Sequence, residues 1–286
     1  MINYNSTSAL RAFLAQEGLG MQKKFGQNFL INPQVRNDLI EALAAPSGSG
    51  VWEIGPGLGA MTALLLEKNL NVKAFEVDKG FIRVLKKIFS GNNNFELVEG
   101  DVMKTWQGRE SAPFLLGNLP YNIAAALLAD FIEKGRIFTR MVVTVQKETA
   151  LRMSASAGTK DYSSFSVLCA SAYKIKPLMT IRRESFFPQP NVESMGVLLE
   201  NRFADSGNHA EYPEVFYPLV RALFASRRKT IKNNLLTFLS SRFGKSSQEL
   251  CAGFLRENAV KENERAENLE LNEFLSLAKS IDNMRI

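Results

Sequence analysis

The chain has 286 residues, 45% hydrophobic and 22% charged, a globular composition with length for one full core and a smaller second domain. The single histidine, His209, lies in the polar, linker-like stretch ADSGNHAEYP, which argues against a histidine-based triad and leaves no partner for a multi-histidine metal site. Two distant cysteines, Cys169 and Cys251, stand in no metal or redox spacing, so no metal is expected. The net charge of +6 favours a polyanionic partner, reduced thiols favour a cytoplasmic location, and neither the polar opening MINYNSTSAL nor any later run reads as a signal or membrane segment.

Strand and helix signals alternate through the first part of the chain. GVWEIGPG (50–57) predicts a short strand running into a glycine-rich turn, and AMTALLLEKN (60–69) a helix. NVKAFEVD (71–78) predicts a second strand and KGFIRVLKKIFS (79–90) its helix. FELVEGD (95–101) and PFLLGN (113–118) are a third and fourth strand, IAAALLADFIEKG (123–135) a helix, and RMVVTVQ (140–146) a fifth strand. Repeated β-α units with short connections imply an α/β fold, a parallel sheet with helices on both faces. KPLMTI (176–181) and ESMGVLLE (193–200) are two late strands, open to antiparallel pairing. The polar stretch 203–213, with Asp205, Gly207, Asn208 and Pro213, marks a boundary between domains 1–210 and 211–286. Beyond it only amphipathic helices are predicted, in 214–244 and 268–281, making a small all-α C-terminal domain.

The chemistry gathers at strand ends. In EIGPGLG (53–59), Gly55, Gly57 and Gly59 permit a tight turn and close approach to a ligand, with a G-x-G-x-G spacing that differs from the dinucleotide fingerprint. Glu76 ends the next strand, where a carboxylate can accept from both ribose hydroxyls. Asp101 follows the third strand, where one can accept from an exocyclic amine, and Asn118 ends the fourth. Carboxyl ends of adjacent parallel strands meet at one crevice, so the set points to a nucleoside cofactor.

Asn118-Leu119-Pro120-Tyr121 extends that crevice to a second ligand. The N6 lone pair of adenine is delocalised into the ring, so the amine is a poor nucleophile. The Asn118 side-chain oxygen and the Leu119 carbonyl are two acceptors for its hydrogens. Pro120 fixes the backbone that aims the carbonyl, and Tyr121 offers a stacking face worth about 1–3 kcal/mol.

With these motifs in place, the chain resembles the S-adenosylmethionine-dependent adenine-N6 methyltransferases. It is most similar to the small-subunit ribosomal RNA adenine dimethyltransferases, over nearly its whole length. KKFGQNFL (23–30), VQKE (145–148), FFPQPNVES (186–194) and ASRRKTIKNNL (225–235) carry the likeness beside EIGPGLG and NLPY. The resemblance implies a Rossmann-like class I methyltransferase sheet. It implies cofactor contacts at Asn28, Leu30, Gly55, Glu76, Asp101 and Asn118. It also implies a target pocket of Asn118, Leu119, Pro120 and Tyr121, with Phe186 as second aromatic wall. The implied substrate is two adjacent adenosines in 16S ribosomal RNA of an assembling small subunit, methylated by a monomer. One departure stands out: Tyr162-Ser163-Ser164-Phe165 replaces the family's frequent Tyr-Gly-Arg followed by an apolar run.

RNA contacts are expected from Arg221, Arg227, Arg228, Lys229 and Lys232, a window free of acidic residues in which 221, 228 and 232 share one face of a continuous helix. Arg11, Lys23 and Lys24 extend the basic surface. The alternatives are an adenine-N6 methyltransferase of 23S ribosomal RNA, an assembly or transcription factor of this fold without catalysis, a DNA adenine methyltransferase and a nicotinamide dehydrogenase. The FGQNFL, FPQPNVES and SRRKTIKNNL segments favour the small-subunit reading over the first. No separate base-readout domain is evident for DNA, and the glycine spacing disfavours a dehydrogenase.

Overall fold

The computed structural model describes residues 2–21, 26–204 and 212–285. In chain order these form α1 (Thr7–Gln16), β1 (Phe29–Leu30), α2 (Pro33–Leu43), β2 (Gly50–Ile54), α3 (Ala60–Glu67), β3 (Asn71–Glu76), α4 (Lys79–Phe89) and β4 (Phe95–Glu99). There follow α5 (Val102–Thr105), β5 (Phe114–Asn118), α6 (Ala124–Glu133), β6 (Arg140–Gln146), α7 (Lys147–Met153), α8 (Ser164–Ala172), β7 (Tyr173–Ile181), β8 (Phe186–Phe187) and β9 (Ser194–Asn201). The remaining helices are α9 (Phe216–Leu223), α10 (Ile231–Phe243), α11 (Ser247–Glu257) and α12 (Leu271–Asp282).

Seven strands make one sheet in the order β4-β3-β2-β5-β6-β9-β7. The first five are parallel, and β9 runs antiparallel to β6. The two late strands are neighbours, as their signals implied. Strands β2, β5 and β6 are apolar almost throughout because both faces are covered. On one face Val51 joins Leu39 and Ile40 of α2 and Leu65 of α3. Its neighbour Trp52 points the other way and packs on Phe75, Phe131 of α6 and Phe138, with ring centroids 4.8, 6.3 and 5.4 Å away. The strand order reverses between β2 and β5, which opens a crevice at their carboxyl ends. Strand β7 is terminal in the order and carries exposed Lys174, Lys176 and Pro177.

The chain divides into two compact units, Met1–Ala150 with Lys174–Asn201 and Leu151–Tyr173 with Arg202–Ile286. The boundary expected at 210/211 lies outside the described residues, and so does His209. Residues 151–173, expected in the first domain, belong to the helical unit instead. The reason is apolar: Tyr162 and Val167 are buried in one cluster with Val215, Phe216, Phe254 and Leu277. Tyr162 Oη also donates to the Leu269 carbonyl at 2.9 Å. Where Ser163 departs from the family pattern, its N–H donates to Ser166 Oγ at 3.0 Å and opens α8.

The helix expected to run through 221–232 is also corrected. Helix α9 stops at Leu223 and α10 begins at Ile231, with Thr230 as its N-cap. Asn234, 5% exposed, donates to the carbonyls of Leu223 at 2.8 Å and Ser226 at 3.2 Å, so its amide takes over carbonyls that a continuous helix would have used. Residues 221, 228 and 232 therefore share no single helical face. Among the described residues no helix is long and apolar enough to cross a membrane.

Candidate active site

The crevice at the carboxyl ends of β2, β3 and β5 is a cleft of about 1090 Å³, its open mouth included. Asn28, Leu30, Gly55, Glu76, Asp101, Asn118, Leu119, Pro120 and Tyr121 all line it. Residues from five separate stretches of sequence thus meet in one place. The described part of KKFGQNFL supplies Gly26 to Leu30; Lys23 and Lys24 lie outside the described residues.

The floor is the turn after β2. Gly55 has φ +68°, and Gly59 has φ +87° and starts α3. A Cβ on Gly59 would sit 2.6 Å from the Phe89 ring, so both conformation and space demand glycine there. Glu76 holds the turn against β3. Its Oε2 accepts from the Gly57 N–H at 3.1 Å, and its Oε1 accepts from the Val77 and Asp78 N–H groups, both at 2.8 Å. A carboxylate has about four acceptor positions, so three internal bonds leave roughly one for a ligand hydroxyl. The sequence expectation of two is trimmed accordingly.

Burial pushes the Glu76 carboxyl up to about 7, against the pull of its three backbone donors. Glu53, on β2, is pushed to about 7 as well, by burial first and by the nearby Glu76 charge. Its Oε2 accepts from Thr62 Oγ1 at 2.6 Å, and it lines the cleft. Glu53 opens the glycine motif, and no role for it follows from the spacing alone. Its signal was a charge inside the apolar stretch GVWEI, a pattern a buried strand tolerates only where the charge is used. Tyr4 is a second residue the sequence did not flag. It lines the cleft, donates to the Leu58 carbonyl at 3.0 Å, and is pushed to about 12, mainly by burial.

Asp101 serves twice. Its Oδ1 caps α5 by accepting from the Met103 N–H at 3.0 Å, and the residue also lines the cleft. Asn118 is oriented by one contact. Its Nδ2 donates to the Asn28 carbonyl at 2.7 Å, across 90 residues of sequence. A carbonyl only accepts, so the amide nitrogen must face Asn28, and Oδ1 is left as the acceptor on the other side. The Leu119 N–H donates to the Thr144 carbonyl at 3.1 Å, while the Leu119 carbonyl takes no hydrogen bond among the described residues. Asn118 Oδ1 and the Leu119 carbonyl are thus two acceptors on consecutive residues that take no hydrogen bond among the described residues, and both residues line the cleft with the half-buried Tyr121.

Phe186 departs from expectation. It is 1% exposed, belongs to the apolar cluster with Leu30, Ile40 and Met61, and does not line the cleft. The cause is packing: in the β1–β8 ribbon Phe186 pairs with Leu30 and Phe187 with Phe29, and the Phe186 ring is taken up by the apolar cluster under the sheet. Phe187 takes the other face, with the Arg11 guanidinium 5.2 Å from its ring centroid.

The basic residues lie in the helical unit. Arg227 is tied to Glu267 at 2.8 Å and to the Lys160 carbonyl at 3.0 Å, and Lys232 pairs with Glu262 at 2.6 Å. Arg228 and Lys229 are exposed on the loop before α10 and make no ion pair among the described residues. Arg221 is exposed in the last turn of α9.

Three comparisons bear on this arrangement. A family model described as ribosomal RNA adenine dimethylase matches residues 18–283. A protein of Treponema denticola named ribosomal RNA small subunit methyltransferase A is 47% identical, covering 99% of this chain and 97% of its own. Proteins of the same name from Treponema pallidum and Borreliella burgdorferi are 42% and 36% identical, each over 98% of this chain and 97% and 96% of their own. Among solved structures, a dimethyladenosine transferase from Plasmodium falciparum aligns with TM-score 0.75 at 28% identity, over 89% of this chain and 98% of that one. A 23S rRNA methyltransferase aligns with TM-score 0.65 at 21% identity, over 88% and 99%, which speaks to fold alone.

Proposed function

Since the chain belongs to the ribosomal RNA adenine dimethylase family, we propose that its cleft is where N6 of two adjacent adenosines in small-subunit ribosomal RNA is dimethylated. The protein is an S-adenosylmethionine-dependent methyltransferase of class I fold. The observation that carries the site is the Asn118–Asn28 bond, which leaves Asn118 Oδ1 and the Leu119 carbonyl as adjacent open acceptors.

The donor set fits the cofactor. Glu76 retains an acceptor position for a ribose hydroxyl, Asp101 faces the same cleft for an exocyclic amine, and Glu53 adds negative charge suited to a cationic ligand. Asn28, Leu30 and Gly55 complete the contacts. Bound there, S-adenosylmethionine supplies an electrophilic methyl group. The chain's own part is orientation. The two acceptors draw the N6 hydrogens into line and localise the lone pair on nitrogen, away from the ring. Pro120 holds the backbone between them, and the Tyr121 face stacks on a base taken out of its helix. The released proton goes to solvent. Phe186 is a packing residue behind the cleft in this reading.

The RNA grip is assigned to the helical unit, with Arg228 and Lys229 as phosphate contacts and Arg221 beside them. Arg227 and Lys232 first serve the fold, and their pairs with Glu267 and Glu262 would open to reach phosphate. A monomer acting in the cytoplasm on assembling subunits accords with this picture.

The test is methyl transfer from labelled S-adenosylmethionine to undermethylated small subunits, with large-subunit RNA and duplex DNA alongside. The expected product is N6,N6-dimethyladenosine from small subunits alone. Label in large-subunit RNA would move the protein to the 23S branch. An inert but cofactor-binding protein would be an assembly factor. In the same assay Arg228→Ala with Lys229→Ala is expected to flatten the salt dependence of subunit binding by about two counterions.

The raised carboxyls predict opposite pH trends for stability and binding. Glu53 and Glu76 sit near 7 in the folded chain against an ordinary 4.5. Their stabilisation of the apoprotein is fully present below the ordinary value and is lost as pH rises through about 7. Ligand binding needs them ionised. The apoprotein's Tm should therefore fall from about pH 5 to about pH 7 and level off above it, while the thermal shift given by S-adenosylhomocysteine grows over the same interval. Parallel trends in both would refute the assignment of these carboxylates to the ligand.

A further inference from the structure

Two segments that marked the family, VQKE and FFPQPNVES, contribute none of the groups described as lining the cleft. They meet behind Tyr121. Tyr121 Oη and Ser194 Oγ lie 2.5 Å apart, and either hydroxyl can donate. Ser194 is 0% exposed and begins β9, opposite Gln146 in the β6–β9 ladder. The next residue on β6's side locks that start: the Lys147 N–H donates to the Glu193 carbonyl at 3.0 Å, and Lys147 Nζ to Glu193 Oε2 at 2.9 Å. The Leu119 N–H is bonded to Thr144 on the same strand. Both ends of the hydroxyl pair are thus referenced to β6: the tyrosine is held at its tip by Ser194 and follows by two residues a backbone bond to that strand.

We propose that Ser194 is a positioning residue for methyl transfer: its buried hydroxyl fixes the Tyr121 ring at the angle that seats the target base between ring and acceptors. The inference rests on the proposed function of the cleft. Its chemical content concerns the second transfer most. An N6-methyl group makes the base bulkier and removes one of its two N6 hydrogens, so a ring free to tilt costs the second step more than the first. A serine there only to satisfy a buried tyrosine would affect stability and cofactor binding without altering the product ratio.

The experiment compares Ser194→Ala, Ser194→Thr, Tyr121→Phe and the double variant Ser194→Ala with Tyr121→Phe. Turnover, KM for undermethylated small subunits, S-adenosylhomocysteine affinity and the ratio of monomethyl to dimethyladenosine are measured. Ser194→Ala is expected to lower turnover by about ten-fold through misplacement of the base. Cofactor-analogue affinity should stay within about two-fold of the parent, and monomethyladenosine should accumulate. Tyr121→Phe should match it, the double variant should be no worse than either single one, and Ser194→Thr should restore dimethylation. Independently of turnover, 2-aminopurine at the target position of a small-subunit RNA fragment should be quenched by the analogue-loaded parent and less so by Ser194→Ala. Unchanged product ratio and quenching, additive losses in the double variant, or a fall in analogue affinity equal to the fall in turnover would overturn the proposal. If the parent itself does not methylate small subunits, it is the function of the cleft that fails instead.

Discussion

Asn118→Ala is expected to cut methyl-transfer turnover by about 100- to 1,000-fold, the loss typical of removing one oriented group at a reacting centre. Cofactor-analogue affinity should fall by less than about ten-fold. The argument rests on which half of the amide is engaged. Nδ2 is spent on the Asn28 carbonyl at 2.7 Å, so the group aimed at the base is Oδ1. Asn118→Asp sharpens the test. It keeps an acceptor toward the base but sets a carboxylate oxygen against the Asn28 carbonyl, two acceptors with no proton between them. It should be nearly as inactive as the alanine variant unless the carboxyl takes up a proton, in which case activity recovers on acidification. Steady-state kinetics on small subunits with calorimetry of S-adenosylhomocysteine separates these outcomes. Equal losses of turnover and analogue affinity in Asn118→Ala would contradict an orienting role.

Glu76→Ala should produce the complementary pattern, a loss of cofactor affinity of about 100-fold with little effect on RNA binding. A charge-assisted hydrogen bond contributes about 1.5–3 kcal/mol. This carboxylate also holds the Gly57, Val77 and Asp78 N–H groups in place, so its removal loosens the glycine turn together with the ligand contact. Thermal stability of the apoprotein should fall less than three lost hydrogen bonds alone would imply, because the variant also removes a buried carboxyl whose pKa folding raises to about 7. Titration of the variant with S-adenosylhomocysteine checks the first claim and a melting curve without ligand the second. Parent-like affinity would remove Glu76 from the ligand.

Local signals carried the sheet and most of the cleft. A strand's end is written in its own residues, so Glu76, Asp101 and Asn118 could be placed at carboxyl ends before any pairing was known. Parallel order then brings such ends together. Phe186 could not be read in that way. Which face it takes depends on a two-residue ribbon with β1, a partner far earlier in the chain. The break at 224–230 was hidden for a related reason. The apolar spacing through 214–244 is helical throughout, and it is the buried side-chain amide of Asn234, on the following helix, that claims the Leu223 carbonyl at the end of α9 and the Ser226 carbonyl in the loop beyond it. The regrouping of 151–173 with the helical unit follows from side chains such as Tyr162, whose partners lie near the other end of the chain.

Strand β7 ends the sheet with Lys174, Lys176 and Pro177 in view. A terminal strand is an invitation to any passing chain with unpaired amides, and a second copy of the same protein is the passer-by met most often. Proline breaks the row of donors, and each lysine would have to shed its water before a neighbour could dock. The residues of this terminal strand thus themselves discourage an eighth strand from pairing. At the concentrations needed to purify or crystallise the protein, this border works against one route to aggregation.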